Sequence, residues 1–235
     1  MKIKDAVVFV TGANRGIGLA FAREALAMGA AKVYAGMRKV DGFAEPGLIP
    51  VQLDVTDADS IAAAVARCGD VSVLVNNAGI AEVGTDALDA SIEASTRRIM
   101  EVNYYGLVRT TQAFAPVLAA RGASAIINVL SIVSWKNSPF LTAYAVTKAA
   151  AWSYTNHARL ALQAQNTAVV GLHVGFVDTD LTAGVDLPKS QPRDVARRSY
   201  DVLESGGLEV LADEDTVAFK ATLSSDRPGY LYPEA

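Results

Sequence analysis

Tyr144 and Lys148 stand four residues apart in the run Tyr-Ala-Val-Thr-Lys, at the entry to a long apolar-periodic segment. On a helix, residues four apart share a face, so a phenol and an ammonium would point into one space. A cation beside a phenol favours the ionised form and draws its pKa down from about 10. The expectation is a tyrosine that exchanges a proton near neutral pH as a general acid or base. Such pairs also occur on ordinary helix surfaces, so the reading depends on what the rest of the chain brings to them. Asn103 interrupts another apolar helical stretch and needs a hydrogen-bond partner there. Ser131 closes an apolar strand pattern.

The elements that must position these residues alternate in type. Strand patterns cover 6–10, 32–36, 49–53, 71–75, 125–130 and 168–174, and a short apolar piece covers 208–211. Continuous apolar runs of this length suit parallel strands buried on both faces. Helical patterns lie between them: from the glycine loop to about Met28, then about 57–67, 95–118 and 144–165. After an irregular stretch from Asp180 to about Arg193 come helices over 194–204 and to about Leu223. Thr56 is the expected N-cap of the second helix. No linker or repeat divides the chain. The expected fold is therefore α/β, a Rossmann-type doubly wound, mostly parallel seven-stranded sheet with helices on both faces. One domain would span 1–235, with a substrate loop at about 180–193. Right-handed crossovers would bring the glycine loop, Asn76, Ser131 and the Gly175 loop to one carboxyl edge of the sheet.

The first strand runs into Thr11-Gly12-Ala13-Asn14-Arg15-Gly16-Ile17-Gly18 and then a helix. That order aims backbone N–H groups and a helix N-terminus at a phosphate. Gly12 permits the turn, and Gly16 and Gly18 permit close approach of backbone and ligand. The second strand ends in Met37-Arg38-Lys39 with no carboxylate. An acidic residue there would suit the free ribose of NAD(H), whereas arginine suits a 2′-phosphate. Arg38, with Arg15 as a second cation, therefore favours NADP(H), and Asp41 keeps NAD(H) as the lesser alternative. Asn76-Asn77-Ala78-Gly79 closes the fourth strand, where open α/β sheets take ligands.

Composition narrows the partners. The formal net charge is -4, and no run of like charges resembles a tail for nucleic acid or anionic membrane. No uninterrupted apolar run approaches the ~20 residues that span a bilayer. The chain opens on a strand pattern without a signal-like segment. Cys68 is the single cysteine, which fits a reducing compartment and a cytoplasmic location. His157 and His173 belong to no ligand cluster, so no metal is expected.

Taken together, Thr11-Gly-x-x-x-Gly-x-Gly18, Asp54, Asn76-Asn-Ala-Gly79, Asn103, Ser131, Tyr144-x-x-x-Lys148 and Gly175-x-Val-x-Thr179 resemble the short-chain dehydrogenase/reductase family, over roughly residues 3 to 200. The resemblance implies Tyr144 as general acid/base, and Ser131 as donor to the substrate oxygen. It implies Lys148 on the nicotinamide ribose while depressing the tyrosine pKa, and Asn103 ordering a water in a proton relay. It implies cofactor contacts from Gly12, Asn14, Arg15, Gly16, Ile17, Gly18, Arg38, Asp54, Val55, Asn77, Ala78, Gly79, Gly175, Val177 and Thr179, together with Tyr144 and Lys148. Two features depart from the pattern. Val174 replaces the usual proline before Gly175, and the C-terminal region has Leu208–Leu211 and a further helix in place of a glycine-rich ending.

The segments 132–141, 81–83 and 176–187 are the expected pocket walls. Trp135, Phe140, Phe176, Leu181 and Leu187 make them apolar. They point to a small hydrophobic ketone, aldehyde or secondary alcohol as substrate. Two other functions compete. A reductase of carrier-bound acyl groups would need a basic patch, for which Arg97, Arg98 and Arg109 are candidates. A non-catalytic NADP-binding regulator would have lost the Ser, Tyr or Lys. Apolar positions on more than one face of the helices carrying Asn103 and Tyr144 predict a homodimer or homotetramer.

Overall fold

The structure is a computed structural model and describes residues 1–84 and 86–232. The expected single unit of 1–235 therefore includes four residues, Thr85 and 233–235, outside the described ones. Seven strands form one sheet: β1 (Val7–Thr11), β2 (Lys32–Met37), β3 (Leu48–Gln52), β4 (Val73–Asn76), β5 (Ser124–Val129), β6 (Thr167–His173) and β7 (Glu209–Leu211). Their order is β3-β2-β1-β4-β5-β6-β7, and each neighbouring pair is parallel. The strand order reverses between β1 and β4, which makes their carboxyl ends the switch point of the sheet. Thr11 and Asn76 stand at those ends.

Helices cover both faces, as the mostly apolar strands require. The helices α1 (Gly16–Ala27) and α6 (Pro192–Glu204) close one side, where Val8, Val10, Phe21, Val195 and Tyr200 share a core. Phe21 and Tyr200 meet edge to face with ring centroids 5.3 Å apart. The helices α2 (Ala58–Arg67), α3 (Ile92–Met100), α4 (Leu107–Ala119) and α5 (Thr142–Leu162) lie in sequence between β3 and β6, and α7 (Glu214–Thr222) follows β7. Residues of α2, α4 and α5 fill the core of the second face, including Ile61, Phe114, Leu118, Ala158 and Leu162 with Phe9 and Ile126.

Several boundaries differ from the sequence reading for identifiable reasons. Asp57, not Thr56, caps α2, and its carboxylate accepts from the Asp59 N–H. Thr56 instead bonds Asp54 through its N–H and hydroxyl. The helix α6 starts at Pro192, two residues early, because proline suits the first helical position. The stretch 95–118 starts earlier, at Ile92, and is not a uniform α-helix. A π-helical turn over Glu101–Gly106 separates α3 from α4, and Asn103 lies within it.

Candidate active site

Tyr144 and Lys148 ride on the first turns of α5, and the Lys148 ammonium lies 5.5 Å from the Tyr144 ring centroid. Lys148 is buried, and its Nζ donates to the Val129 carbonyl at the end of β5, 2.7 Å away. Burial lowers the lysine to about 8. Burial raises the Tyr144 phenol to about 12, and a bond with the Ser131 hydroxyl opposes that rise. The expectation that the lysine draws the phenol down is therefore not met in the protein alone. Both groups lose water in the same pocket, which disfavours both charged forms, and the ammonium spends a bond on the Val129 carbonyl. At neutral pH the phenol carries its proton.

Ser131 lies between the end of β5 and a short helical turn over Ile132–Ser134. Its hydroxyl lies 3.4 Å from the Val174 carbonyl and accepts from the Val133 N–H. Asn103 is fully engaged. Its Oδ1 accepts from the Ile80 N–H at 2.8 Å, and its Nδ2 donates to the Ile80 carbonyl at 2.9 Å and to the Thr147 hydroxyl at 3.1 Å. Thr147 in turn donates to the Tyr144 carbonyl. The side chain of Asn103 thus ties the loop after β4 to the turn of α5 that bears Tyr144. Asn103 lies within the π-turn, where the regular i-to-i−4 ladder is interrupted.

Beneath these groups runs a buried polar chain. Asn76 donates to Asn128 at 2.9 Å and to Thr111 at 3.0 Å, and it accepts from Thr110 at 2.7 Å. Asn128 donates to Thr155. Strands β4 and β5 and helices α4 and α5 are thereby held in one register. Buried amides this completely partnered favour a single arrangement of those elements.

The glycine loop occupies the switch point. Gly12 and Gly16 have positive φ, at 66° and 57°. Thr11 pins the neighbouring turn, because its hydroxyl accepts from the N–H groups of Asn77 and Ala78 at 3.0 and 2.9 Å. Asn77 donates back to the carbonyls of Thr11 and Gly12. A Cβ at Gly79 would lie 3.2 Å from Asn103 Oδ1, and one at Gly106 would lie 2.7 Å from Val55 Cγ2. Val55 therefore packs on the π-turn. Asn14 is exposed and Ile17 partly buried. No side chain caps the start of α1, and no acidic residue stands in its first turn, so this helix end can receive an anion.

Across the cleft, Val177 is buried and Thr179 opens a short turn over Asp180–Thr182. A Cβ at Gly16 would lie 3.4 Å from Thr179 Cγ2. Arg15 crosses to Asp180 at 2.9 Å, an exposed pair. Arg38 is exposed and borders a depression with Gln52, Asp54, Asp57 and Ser60. Bonds from Thr56 hold the Asp54 carboxyl below its ordinary value, with a smaller contribution from the charge of Arg38. Of the two arginines expected to share one phosphate, Arg15 is paired with Asp180 and Arg38 stands exposed at the end of β2.

Two expected pocket features also change. Trp135 is buried and stacks on His173 with centroids 3.7 Å apart, while Lys220 of α7 lies over its ring. It is a packing residue. Phe140, Leu181 and Leu187 are exposed, as pocket-rim residues would be. The arginines of the candidate basic patch are each neutralised, Arg97 by Glu93, Arg98 by Glu82 and Arg109 by Glu101.

His173 is packed rather than ligating, with Nδ1 3.2 Å from the Ser131 carbonyl. Burial depresses it to about 4 from the usual 6.5. Between those values the unfolded chain binds the extra proton and the folded chain does not. Stability should therefore fall as pH drops from 6.5 to 4, by on the order of 3 kcal/mol from this residue. Thermal unfolding of His173→Gln across that window should show a shallower slope than wild type.

Residues missed at the sequence level include Thr11, Thr147 and Asp213. Thr11 opens the recognised glycine motif and Thr147 lies inside Tyr144-x-x-x-Lys148, but neither had a role of its own assigned from sequence. The Asp213 carboxylate accepts from the Gly175 N–H at 2.7 Å, a contact between segments far apart in sequence.

Comparison with known proteins agrees with this geometry. The sequence profile of the family described as short chain dehydrogenase matches residues 6–189. The mouse protein "Dehydrogenase/reductase SDR family member 7B" is 31% identical over 232 residues, covering 87% of this chain and 71% of its own. The "NADPH-dependent 1-acyldihydroxyacetone phosphate reductase" of Schizosaccharomyces pombe is 35% identical over 186 residues, covering 75% and 62%. A short chain dehydrogenase from Burkholderia cenocepacia J2315, solved in complex with NADP, superposes with a TM-score of 0.91 at 35% identity. That match covers 97% of this chain and 96% of the other.

Proposed function

Since the chain belongs to the short-chain dehydrogenase family of NAD(P)-dependent oxidoreductases, we propose that it reduces a hydrophobic ketone or aldehyde with NADP(H), through Ser131, Tyr144 and Lys148. The observation that carries this reading is the Tyr144 phenol standing beside the Ser131 hydroxyl and the buried Lys148 ammonium, with loss of water raising the phenol to about 12. A protonated donor is what carbonyl reduction needs. In this reading one domain serves both cofactor and substrate, with 180–193 as the substrate loop.

The residues present fit the cofactor. The uncapped start of α1 offers free N–H groups to its phosphates. Lys148 uses one of three N–H bonds on Val129 and has others for ribose hydroxyls. When bound, NADPH supplies a hydride to the carbonyl carbon. Ser131 donates to the carbonyl oxygen and stabilises the charge that develops there. Tyr144 gives its proton to that oxygen, which becomes the hydroxyl of the alcohol still bonded to its carbon, and solvent later restores the proton to the phenolate. The Lys148 ammonium stabilises the transient phenolate. Asn103 holds the turn of α5 from which Tyr144 projects.

Arg38 supports the phosphate-bearing cofactor, because it stands exposed at the end of β2 where a 2′-phosphate would lie. Arg15 needs only to leave an exposed ion pair, which costs about 0–1 kcal/mol. The similar Burkholderia structure with NADP and the NADPH-dependent yeast relative point the same way. Arg38→Ala should lower kcat/KM for NADPH by roughly one to two powers of ten and change that for NADH little. Equal losses with both cofactors would mark Arg38 as a solvated loop charge.

The neutralised arginines leave the carrier-bound acyl reading without its basic patch. The intact Ser-Tyr-Lys set argues against a non-catalytic regulator. Among the described residues, no helix is long and apolar enough to cross a membrane. Tyr105, Val146 and Leu160 remain exposed on the π-turn and α5, which supports a homodimer or homotetramer. Sedimentation at micromolar concentration should show one of these, and a monomer would contradict it.

A further inference from the structure

Strand β7 pairs in parallel with β6, with Leu211 opposite His173. Two residues on, the same register carries Asp213 to Gly175. The Ala212 N–H bonds the His173 carbonyl and continues the ladder. One oxygen of the Asp213 carboxylate accepts from the Gly175 N–H at 2.7 Å. The other caps α7, accepting from the N–H and hydroxyl of Thr216, both at 2.8 Å. The Gly175 N–H and the Val174 carbonyl belong to one peptide group, which is planar. That carbonyl accepts from the Ile132 N–H at 3.0 Å and faces the Ser131 hydroxyl at 3.4 Å.

We propose that Asp213 is a positioning residue, holding the Ser131 turn in place through the rigid Val174–Gly175 peptide. The inference rests on Ser131 being the donor to the substrate oxygen. A carboxylate bond to one side of a peptide is charge-assisted and polarises the carbonyl on the other side. The anchor stands at the point where Val174 takes the place of a ring-stiffened proline. The C-terminal segment, whose role was open from sequence, thus acts on the site from outside it.

Two single variants and a double variant test this. Asp213→Ser keeps a hydroxyl to cap α7 but is too short to reach Gly175. Thr216→Val weakens the cap and leaves the Gly175 bond. With NADPH and an accepted ketone, Asp213→Ser should lower kcat by about 10- to 100-fold, as misplacement of a donor does, and Thr216→Val should not. In a Ser131→Ala background, Asp213→Ser should cost little more, since the two act as one unit. Amide exchange at Gly175 and Ile132 should quicken together in Asp213→Ser and in neither case in Thr216→Val. Wild-type turnover and Ile132 exchange in Asp213→Ser would overturn the proposal. So would an equal loss in Thr216→Val, or fully additive losses in the double variant. A wild type that consumes no ketone would sink the reductase reading instead, and the exchange comparison would still decide whether Asp213 holds the Ser131 turn.

Discussion

Tyr144→Phe is expected to lower kcat by about 10²–10⁴-fold, the usual worth of a positioned proton donor, while NADPH still binds. Phenylalanine keeps the ring and its packing beside Lys148 and removes only the hydroxyl. The hydroxyl is the group that must deliver a proton to the substrate oxygen, and no other phenol adjoins Ser131 among the described contacts. Because burial holds this phenol up at about 12, the donor form persists through neutral pH. Carbonyl reduction should therefore change little between pH 6 and 8. Alcohol oxidation needs the phenolate and should climb with pH over the same range. Near-normal turnover in Tyr144→Phe, measured beside NADPH fluorescence titration, would remove Tyr144 from the mechanism.

Gly18→Ala should be nearly as damaging, by a different route. A Cβ there would press into the Gly12 carbonyl oxygen and the Asn77 amide nitrogen, well inside contact distance. Neither neighbour can yield cheaply. The Gly12 carbonyl is backbone, and Asn77 is tied to the carbonyls of Thr11 and Gly12. Overpacking of this kind costs about 1–3 kcal/mol, and relief must come from moving the glycine loop. The expected result is a lower Tm together with loss of NADPH affinity. Gly42→Ala is the contrast. Gly42 has positive φ, unlike Gly18, but nothing lies within 4 Å of a Cβ there, so it should lose some stability and keep cofactor binding.

The sheet was legible because its strands are continuous Val-rich runs that only a doubly covered parallel layer can bury. The glycine loop and the Tyr144–Lys148 pair were legible because each lies within one short stretch. What escaped were relations between distant stretches. The π-turn at Asn103 comes with bonds to Ile80 and Thr147 on distant segments, which no local pattern encodes. Trp135 looks like a pocket wall in sequence, yet His173 on β6 and Lys220 on α7 enclose it. The pairing of Arg15 with Asp180 joins loops 165 residues apart. The sign of the Tyr144 shift was also out of reach, because spacing reveals the nearby cation and says nothing about lost water.

The destination of the hydride distinguishes carbonyl reduction from every other use of this site. Wild type should be incubated with NADPH deuterated at the transferable C4 position and a panel of hydrophobic ketones and aldehydes, with products read by mass spectrometry and NMR. The prediction is carbonyl-dependent NADPH consumption, one deuterium on the carbinol carbon of each alcohol formed, and none in Tyr144→Phe. NADPH that is never consumed across the panel, or alcohol whose carbinol carbon carries no deuterium, would contradict it.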